Sequence, residues 1–296
     1  MATGYVLCNK RAGNEGDFSD VKRLSELFKD ELKFVDVKDI DHKQLIAGMA
    51  EGDFIVVAGG DGTLNNFVNK TEGIAFPGEI YYFPNGSGND FARELGYKKG
   101  SNPFPVSEYF KNLPCAIVNG KKYRFINGVG FGIDGYCCQK GDELKAVEQK
   151  EIDYAGIAIK GLLFHYKPTN AKITVDGVTK EYKKVWLAPT MFGKYYGGGM
   201  MPAPKQDRKD DTVSVMAYYG KGKLLSLIAF PSLFKGEHVK YKKMIDVRCG
   251  KQITVEFDRP TPLQIDGETI TGVTSYTALC PSLAKAAMAE DKAEAV

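Results

Sequence analysis

The sequence predicts an α/β domain with a doubly wound parallel sheet, followed by a mainly antiparallel β-domain of the sandwich type. Up to about residue 100, short and continuously apolar runs alternate with helical patterns, as is typical of strands buried on both faces. From about residue 123, short β-rich runs separated by glycine, proline and aspartate replace that alternation. These two textures predict two domains of different construction.

The first domain is predicted as repeated strand–helix units. Its strands are mostly apolar without alternation, and the segments between them carry apolar residues at helical spacing. In chain order the predicted strands are residues 4–9, 34–37, 54–58 and 79–84. The predicted helices are residues 21–32, residues 45–49, a helix that begins near Leu64 and a helix that begins near Asp90.

The second domain is predicted to be built from hairpins. Asp-Gly pairs at residues 176–177 and 266–267 are strong signals for two-residue hairpin turns. Helical insertions are predicted at about residues 143–164 and 222–234. We therefore place the α/β domain at residues 1–122 and the β-rich domain at residues 123–280. The Ala-rich tail, residues 281–296, is predicted to be helical and able to pack back on the first domain.

Composition excludes several classes of protein. The 296 residues carry 40 basic and 37 acidic side chains, a net charge of +3, which argues against a dedicated nucleic-acid binder. Six cysteines without a C-x-x-C pair predict reduced, mostly buried thiols in a cytoplasmic protein. No targeting signal and no apolar run of about 20 residues occurs, so any membrane contact is expected to be peripheral.

Two glycine-rich loops carry the chemistry of the first domain. GGDGT and PNGSGND each follow a predicted buried strand and precede a predicted helix. Such loops lie at the carboxyl edge of a parallel sheet, where backbone amides and helix N-termini favour phosphate. No lysine follows at the position that a Walker motif requires. Asp61, at the centre of the first loop, is unexpected because it would repel phosphate.

The two loops also carry a resemblance. GGDGTLNN followed by PNGSGNDFARELG resembles the diacylglycerol kinase catalytic family, which also contains the sphingosine and ceramide kinases and bacterial soluble lipid kinases. INGVGFGID, YYGGGMMPAP and LQIDGE resemble further family segments in the same order, so the similarity covers nearly the whole chain. GGDGT alone is shared with NAD kinases and, loosely, with phosphofructokinases, whereas the combination is more specific.

The resemblance implies an ATP- and Mg²⁺-dependent kinase that phosphorylates a lipid hydroxyl, with diacylglycerol as the first choice of acceptor. It implies that Glu268 accepts the hydroxyl proton, that Asp61 acts through Mg²⁺ or ordered water, and that Asp266 belongs to the same catalytic motif. The implied nucleotide-binding residues are Asn9, Gly59, Gly60, Asp61, Gly62, Thr63, Leu64, Asn65, Gly86, Ser87, Gly88, Asn89 and Asp90.

For Asp61 and Glu268 the residues by themselves also allow structural interpretations. Asp61 or Thr63 would serve as the N-cap of the helix that follows the first loop. Glu268 would be a solvated residue beside a hairpin turn. The resemblance favours the catalytic interpretation of both carboxylates.

The resemblance further implies a structural Mg²⁺ site in PKQDRKDDT, residues 204–212. Asp210 would supply a carboxylate, and Asp207 and Thr212 would supply backbone carbonyls, which are the hard oxygen ligands that magnesium prefers. The sequence departs from the family here, since Asp211 replaces a usual glycine and Asp207 a usual apolar residue. A solvated run of charges is the alternative interpretation.

Partners and competing functions complete the sequence-based expectations. Residues 221–243 place apolar side chains between lysines, which suits an anionic membrane surface or, alternatively, a core helix with solvated ends. We expect a lipid substrate taken from a membrane surface and no nucleic acid, and the sequence leaves a homodimer open. The alternative functions are a kinase acting on a sphingoid-type lipid or on NAD, and a non-catalytic regulator that binds nucleotide or lipid.

Overall fold

The computed structural model describes residues 2–8, 21–37, 40–147, 156–157, 160–161, 165–220 and 222–294. The chain divides into two compact units, Met1–Asn112 and Leu113–Val296. The sequence-based boundary lies later, after residue 122. Among the described residues, no helix combines the length and the apolar content that crossing a bilayer requires.

The first unit contains a five-stranded sheet in the order β2-β1-β3-β4-β5. Strands β1 to β4 are parallel, and the short β5 runs antiparallel at the edge. Parallel strands in this order need helical crossovers and place their carboxyl ends along one edge. The strands are β1 (Thr3–Cys8), β2 (Glu31–Asp36), β3 (Phe54–Gly59), β4 (Ile80–Pro84) and β5 (Phe104–Pro105).

One helix of the first unit is shorter than the sequence predicts. The helix predicted at residues 21–32 is a single turn, because β2 begins at Glu31 and pairs with β1 from Thr3 onward. The helix predicted from Asp90 ends after five residues. The helices are α1 (Leu24–Leu27), α2 (His42–Ala47), α3 (Asp61–Lys70), α4 (Asp90–Glu94) and α5 (Ser107–Phe110).

Strand β3 is the centre of the first unit. Ile55, Val56 and Val57 are fully buried, as expected for a strand covered on both faces. On one face the core is formed by Val6, Cys8, Val21, Leu24, Phe54, Val56, Ala58 and Phe83. This packing fixes the end of β3, and with it the start of the first glycine loop.

The second unit contains a nine-stranded sheet whose strand pairs are all antiparallel. The predicted two-part fold, a parallel α/β unit followed by an antiparallel β-rich unit, is therefore confirmed. The strands are β6 (Cys115–Val118), β7 (Lys121–Arg124), β8 (Gly128–Gly132), β9 (Thr169–Val175), β10 (Val178–Met191), β11 (Val213–Tyr219), β12 (Ile245–Gly250), β13 (Gln252–Ile265) and β14 (Glu268–Leu279).

The long strands β10 and β13 close a ring within this sheet. Each pairs with β9 through its first half and with β8 through its second half. Register shifts near the middle of both strands allow the change of partner. The predicted hairpin turns are both present, at Asp176-Gly177 between β9 and β10 and at Asp266-Gly267 between β13 and β14.

Helical segments of the second unit are α6 (Ile133–Val147), α7 (Lys223–Ala229), two 3₁₀ segments (Phe230–Lys235 and Glu237–Lys240) and α8 (Pro281–Glu294). Helix α6 begins well before the predicted residue 143, directly at the end of β8. The rest of the predicted 143–164 helix lies mostly outside the described residues. Four of the six cysteines are buried, as predicted.

Helix α8 packs within the second unit. Ala284 is buried beside Cys115 and Leu279, and the Lys122 ammonium donates a 2.7 Å hydrogen bond to the carbonyl of Ala287. Its partners are therefore β6, β7 and β14. The sequence-based domain boundary assigns β6 to the first domain, whereas the compact units assign it to the second.

Asp211 holds the N-terminus of α8. Its Oδ1 accepts the backbone N–H of Ser282 at 2.9 Å, and its Oδ2 accepts the Ser282 hydroxyl at 2.6 Å. The Lys251 ammonium lies 3.4 Å from Oδ2. A carboxylate at a helix N-terminus satisfies amides that have no partner inside the helix and complements the helix dipole. The residue that departs from the family pattern thus serves as a cap.

Replacing Asp211 with Ala is expected to weaken the N-terminus of α8 by about 1 kcal/mol, the usual cost of losing a capping side chain. Hydrogen exchange followed by mass spectrometry should show amides at the start of α8 exchanging roughly fivefold faster. Lys285→Ala, an exposed change on the same helix, is the control. Equal exchange in both variants would contradict the capping role.

The same cap gives a pH dependence with a definite sign. The Ser282 hydroxyl is the main cause that lowers the pKa of Asp211 to about 2, below the usual 3.8. Because the folded state has the lower pKa, this stabilisation is complete above 3.8 and is lost as the pH falls through about 2. The difference between wild type and Asp211→Ala in the amide exchange rate at the start of α8 should therefore become smaller as the pH falls from 3.8 to about 2.

Candidate active site

The first glycine loop joins β3 to α3. Strand β3 ends at Gly59, Gly60 is the N-cap of α3, and no side chain caps this helix. Asp61 and Thr63 are both half-buried in its first turn. Neither side chain caps α3, so the alternative interpretation of Asp61 or Thr63 as the N-cap of this helix does not apply. The first turn therefore presents backbone amides without a side-chain cap, as a phosphate-binding helix does.

The carboxylate of Asp61 connects the two glycine loops. Its Oδ2 accepts the backbone N–H of Asp90 at 2.9 Å, and its Oδ1 accepts the backbone N–H of Phe91 at 3.0 Å. These are the first two amides of α4. Asp61 is thus a capping residue for the helix that follows the second loop. The negative charge at the centre of the first loop is directed at the positive end of a neighbouring helix.

Asn89 closes the second loop. Its backbone is left-handed, with φ of 51°. Its side chain accepts from the Gly86 amide at 2.9 Å and donates to the Gly86 carbonyl at 2.6 Å. The Tyr82 hydroxyl donates to the Gly59 carbonyl at 3.1 Å. Burial, with the charges of Asp61 and Asp90 as lesser causes, raises the pKa of Tyr82 well above its usual value. The hydroxyl therefore remains a donor.

The two loops approach each other so closely that a side chain is excluded. A Cβ added to Gly86 would lie 2.3 Å from the Cα of Gly60 and 2.8 Å from its nitrogen. Real side chains essentially never approach backbone to such distances, so glycine is required here. The two loops therefore lie side by side in the first unit.

Burial separates the implied nucleotide-binding residues into two groups. Leu64, Asn65, Asn89 and Asp90 are buried. Ser87 is exposed, and the other described members are half-buried and line the loops: Gly59, Gly60, Asp61, Gly62, Thr63, Gly86 and Gly88. Asn9 lies outside the described residues.

In the second unit, the Asp266-Gly267 turn is fixed by the carboxylate of Asp266. Both turn residues have positive φ, 47° and 94°. The Asp266 carboxylate accepts the backbone N–H groups of Ile126, Asn127 and Gly128, the last two at 2.8 and 2.9 Å. It is 7% exposed. The carboxylate that the resemblance places in the catalytic motif thus ties the turn to the segment that opens β8.

Glu268 leaves the same turn toward solvent. It is exposed and is the first residue of β14, paired with Ile265. The amide of Gly267 donates to Oε1 of Gln264 at 3.0 Å.

Asp134, which follows β8, is buried, and burial raises its pKa to about 6. The Gln264 amide lies 3.5 Å from Oδ2 of Asp134. Neither Gln264 nor Asp134 has a role predicted from the sequence.

Asn127 and Arg208 are further residues to which the sequence analysis assigned no role. The Asn127 carbonyl accepts the amides of Phe192 and Gly193 at 2.9 and 3.0 Å. Arg208 donates to the Ile126 carbonyl at 2.7 Å, and its guanidinium lies over the Phe192 ring at 5.3 Å. Neither contact has a local sequence signal, because the partners are far apart along the chain. These residues connect the loops at residues 192–193 and 204–212 to the segment that anchors Asp266.

The loop of residues 204–212 does not fit the implied metal site. The carbonyls of Asp207 and Thr212 both accept from Nε2 of Gln206, each at 3.1 Å. The Asp207 carbonyl also accepts the Asp210 amide at 3.1 Å, so both lone pairs of that oxygen are used. Asp207 and Asp210 are exposed, and no group of three or more acidic, histidine or cysteine side chains among the described residues is arranged to hold a metal ion.

The glycine-rich loop after β10 is a tight turn closed by backbone bonds. Tyr196 and Met200 exchange N–H···O bonds of 3.0 Å each, which brings the three glycines between them into a turn. The Met201 amide donates to the Leu233 carbonyl at 2.9 Å, and the His238 ring lies 2.9 Å from the Pro202 carbonyl. This loop is thus attached to the 3₁₀ segments that follow α7.

Family comparisons divide the chain in the same way as the structure. The sequence model of the diacylglycerol kinase catalytic domain matches residues 3–112. The model of the YegS C-terminal NAD kinase beta sandwich-like domain matches residues 127–287, more than half of the chain.

Individual relatives are similar over most of their length. A diacylglycerol kinase from Mycobacterium tuberculosis is 26% identical, covering 75% of this chain and 72% of that protein. A diacylglycerol kinase from Bacillus subtilis is 26% identical, covering 78% and 76%. A solved structure of a diacylglycerol kinase from Bacillus anthracis str. Sterne is 20% identical, covers 95% and 94% of the two chains, and has a TM-score of 0.58, which shows a shared fold.

Asp61→Asn tests the connection between the loops. An asparagine retains one acceptor oxygen and turns an NH₂ group toward the other amide, so one buried N–H loses its partner at a cost of about 1–3 kcal/mol. Hydrogen exchange of residues 86–95 should accelerate, by about tenfold for each 1.4 kcal/mol lost.

The control for this experiment is Asn66→Ala, an exposed change on α3. It should leave exchange in residues 86–95 at the wild-type rate. Wild-type exchange in Asp61→Asn would contradict the capping contact.

Proposed function

Because the chain belongs to the diacylglycerol kinase-like lipid kinase family, we propose that it transfers the γ-phosphoryl group of ATP to a lipid hydroxyl, with diacylglycerol as the acceptor. The observation that carries the nucleotide half of this proposal is the contact of Asp61 with α4. It holds two glycine loops side by side at the carboxyl edge of a parallel sheet.

The first loop suits the phosphates of a nucleotide. The first turn of α3 has no side-chain cap, and its amides favour negative charge. At the point where the loops meet, Gly60 and Gly86 have no side chains, so the two backbones lie in direct contact. The negative charge of Asp61 is directed into α4, so it opposes bound phosphate less than an uncompensated carboxylate would.

Magnesium enters this proposal with the nucleotide. Phosphate oxygens and water are its usual ligands, and the chemistry that it supplies is neutralisation of charge on the phosphates. The residues of this chain bind the phosphates through backbone amides and position the loops.

Glu268 is the proposed proton acceptor. In the transfer, the lipid hydroxyl oxygen forms a bond to the γ-phosphorus, the bond to the ADP oxygen breaks, and the hydroxyl proton passes to the Glu268 carboxylate. The exposed position of Glu268 leaves it accessible to an acceptor. The buried Asp266 carboxylate holds the turn from which Glu268 projects, which makes Asp266 a positioning residue in this proposal.

The test is transfer of labelled γ-phosphate from Mg-ATP to a panel containing diacylglycerol, a sphingoid base and NAD. We expect labelled diacylglycerol, and a fall of about 10²–10⁴-fold in kcat/KM for Glu268→Gln, the usual contribution of a general base. Glu256→Gln, an exposed change on the same hairpin, is the matched control.

Three results would contradict parts of this proposal. Label on NAD alone would favour the NAD kinase alternative, and label on the sphingoid base alone would move the acceptor within the lipid class. No label on any acceptor would refute the kinase activity itself.

We further propose that the second unit docks on an anionic lipid bilayer through a membrane-facing surface formed by Leu225, Ile228, Phe234 and Val239. These side chains are 52%, 64%, 44% and 41% exposed. They lie on α7 and the two 3₁₀ segments, whose opposite side is buried through Ala229 and Leu233. The segment is thus neither wholly core nor wholly solvated.

Charge favours a bilayer as the occupant of this surface. Exposed lysines occur through the same segment, at positions 223, 235, 240, 242 and 243, and Glu237 is its acidic residue. Apolar side chains with lysines around them match the acyl boundary and the anionic headgroups of a membrane. The glycine-rich loop is attached to this segment through Leu233 and His238, which supports the delivery of lipid to that loop.

Ile228→Glu tests the surface. Sedimentation with phosphatidylglycerol-containing vesicles should show roughly 100-fold weaker affinity, which corresponds to about 3 kcal/mol. The reason is that a charge replaces an exposed apolar side chain that would enter the membrane interface. Val178→Glu, at a site 62% exposed on the β9–β10 hairpin, is the control. Equal loss in both variants, or equal binding to pure phosphatidylcholine, would refute an anionic membrane surface at this place.

A further inference from the structure

We propose that the side-chain amide of Gln206 takes the place of a metal ion in the loop of residues 204–212. On this proposal the loop keeps its conformation without a bound cation. The proposal concerns a different part of the chain from the phosphoryl transfer and does not depend on it.

The amide of Gln206 is fully used inside the loop. Its Nε2 donates to the carbonyls of Asp207 and Thr212, both at 3.1 Å, and its Oε1 accepts the Ser214 hydroxyl at 2.6 Å. Gln206 is 3% exposed. A primary amide has two N–H donors, so both are satisfied by the two carbonyls. The amide therefore joins both ends of the loop to the start of β11.

A cation and this amide compete for the same oxygen atoms. The Asp207 carbonyl already accepts two N–H groups, from Gln206 and from Asp210, so both of its lone pairs are used. To bind both carbonyls, a cation would have to displace the Gln206 side chain. That would leave a buried amide and the Ser214 hydroxyl without their present partners, which is costly.

Two carboxylates of the loop bind other groups of the protein. Oδ1 of Asp207 accepts the Lys209 amide at 3.0 Å, and the Asp207 carbonyl also accepts the Asp210 amide at 3.1 Å. Asp211 accepts from Ser282 at the start of α8. These two side chains therefore do not converge on one point, and no group of three or more acidic, histidine or cysteine side chains among the described residues is arranged to hold a metal ion.

The loop held by Gln206 supports the turn that carries Glu268. Arg208, within this loop, donates to the Ile126 carbonyl at 2.7 Å and lies 3.4 Å from Oδ1 of Asn127. The amides of Ile126 and Asn127 in turn bind the Asp266 carboxylate. In this chain a neutral side chain thus secures the support of the Asp266-Gly267 turn.

Thermal unfolding without nucleotide tests the proposal. Wild-type protein should have the same Tm in EDTA and in millimolar Mg²⁺ or Ca²⁺. In Gln206→Glu a carboxylate oxygen replaces the donor and faces two carbonyl oxygens. We expect its Tm in EDTA to fall by about 5 °C and to be restored by either cation, because three oxygens then converge.

Gln44→Glu is the matched control, with the same change of charge at an exposed helix position. It should show no dependence on the cation. Gln206→Ala should lower the Tm in EDTA without adding a charge. A wild-type Tm in Gln206→Ala would refute the structural role of the amide.

A second measurement covers the case in which Gln206→Glu does not fold without metal. Wild-type protein freed of metal is titrated with Mn²⁺ in the absence of nucleotide and followed by electron paramagnetic resonance. Unchanged free Mn²⁺ would support the proposal. Binding of one Mn²⁺ per chain that raises the Tm, and is lost in Asp210→Asn, would overturn it.

Discussion

The hydrogen bonds between the Asp61 carboxylate and the first amides of α4 are the contact on which the first unit's candidate site depends. Two glycine-rich loops meet backbone to backbone at Gly60 and Gly86, where a side chain is excluded. The carboxylate connects the first loop to the helix after the second and satisfies the first two amides of that five-residue helix. A short helix with an uncapped N-terminus would be marginal. The acidic residue therefore has a structural reason in a loop that otherwise suits phosphate.

The second unit uses the same device at the turn that carries Glu268. Asp266 is a buried carboxylate that binds three consecutive backbone amides before β8. Arg208 and Asn127 extend this network to the loop of residues 204–212 and to Phe192. In both units an aspartate within a motif that resembles the family's fixes backbone, and the residues beside it on the C-terminal side are half-buried or exposed. Hydrogen bonds from backbone amides stabilise the charge of each aspartate carboxylate inside the protein.

Two side chains bind the loop of residues 204–212 in ways that the sequence did not predict. Asp211, which the resemblance marks as a departure from a usual glycine, caps α8. Gln206 donates to the two carbonyls that the resemblance assigned to magnesium. Neither contact disturbs the antiparallel sheet that follows the loop, because β11 begins only at Val213.

The sequence by itself determined the order of elements, the two-part fold, the two glycine loops and the Asp-Gly turn before Glu268. These features depend on local periodicity and on turn chemistry, which are written in neighbouring residues. Only the tertiary structure decided that Asp61 caps α4 instead of its own helix, that Asp266 binds residues 126–128, and that Gln206 occupies the carbonyls of its loop. It also shortened α1, because pairing with β1 begins at Glu31. Many backbone amides and carbonyls along the chain could bind a given carboxylate or side-chain amide equally well. Only the tertiary fold decides which of them comes within hydrogen-bonding distance.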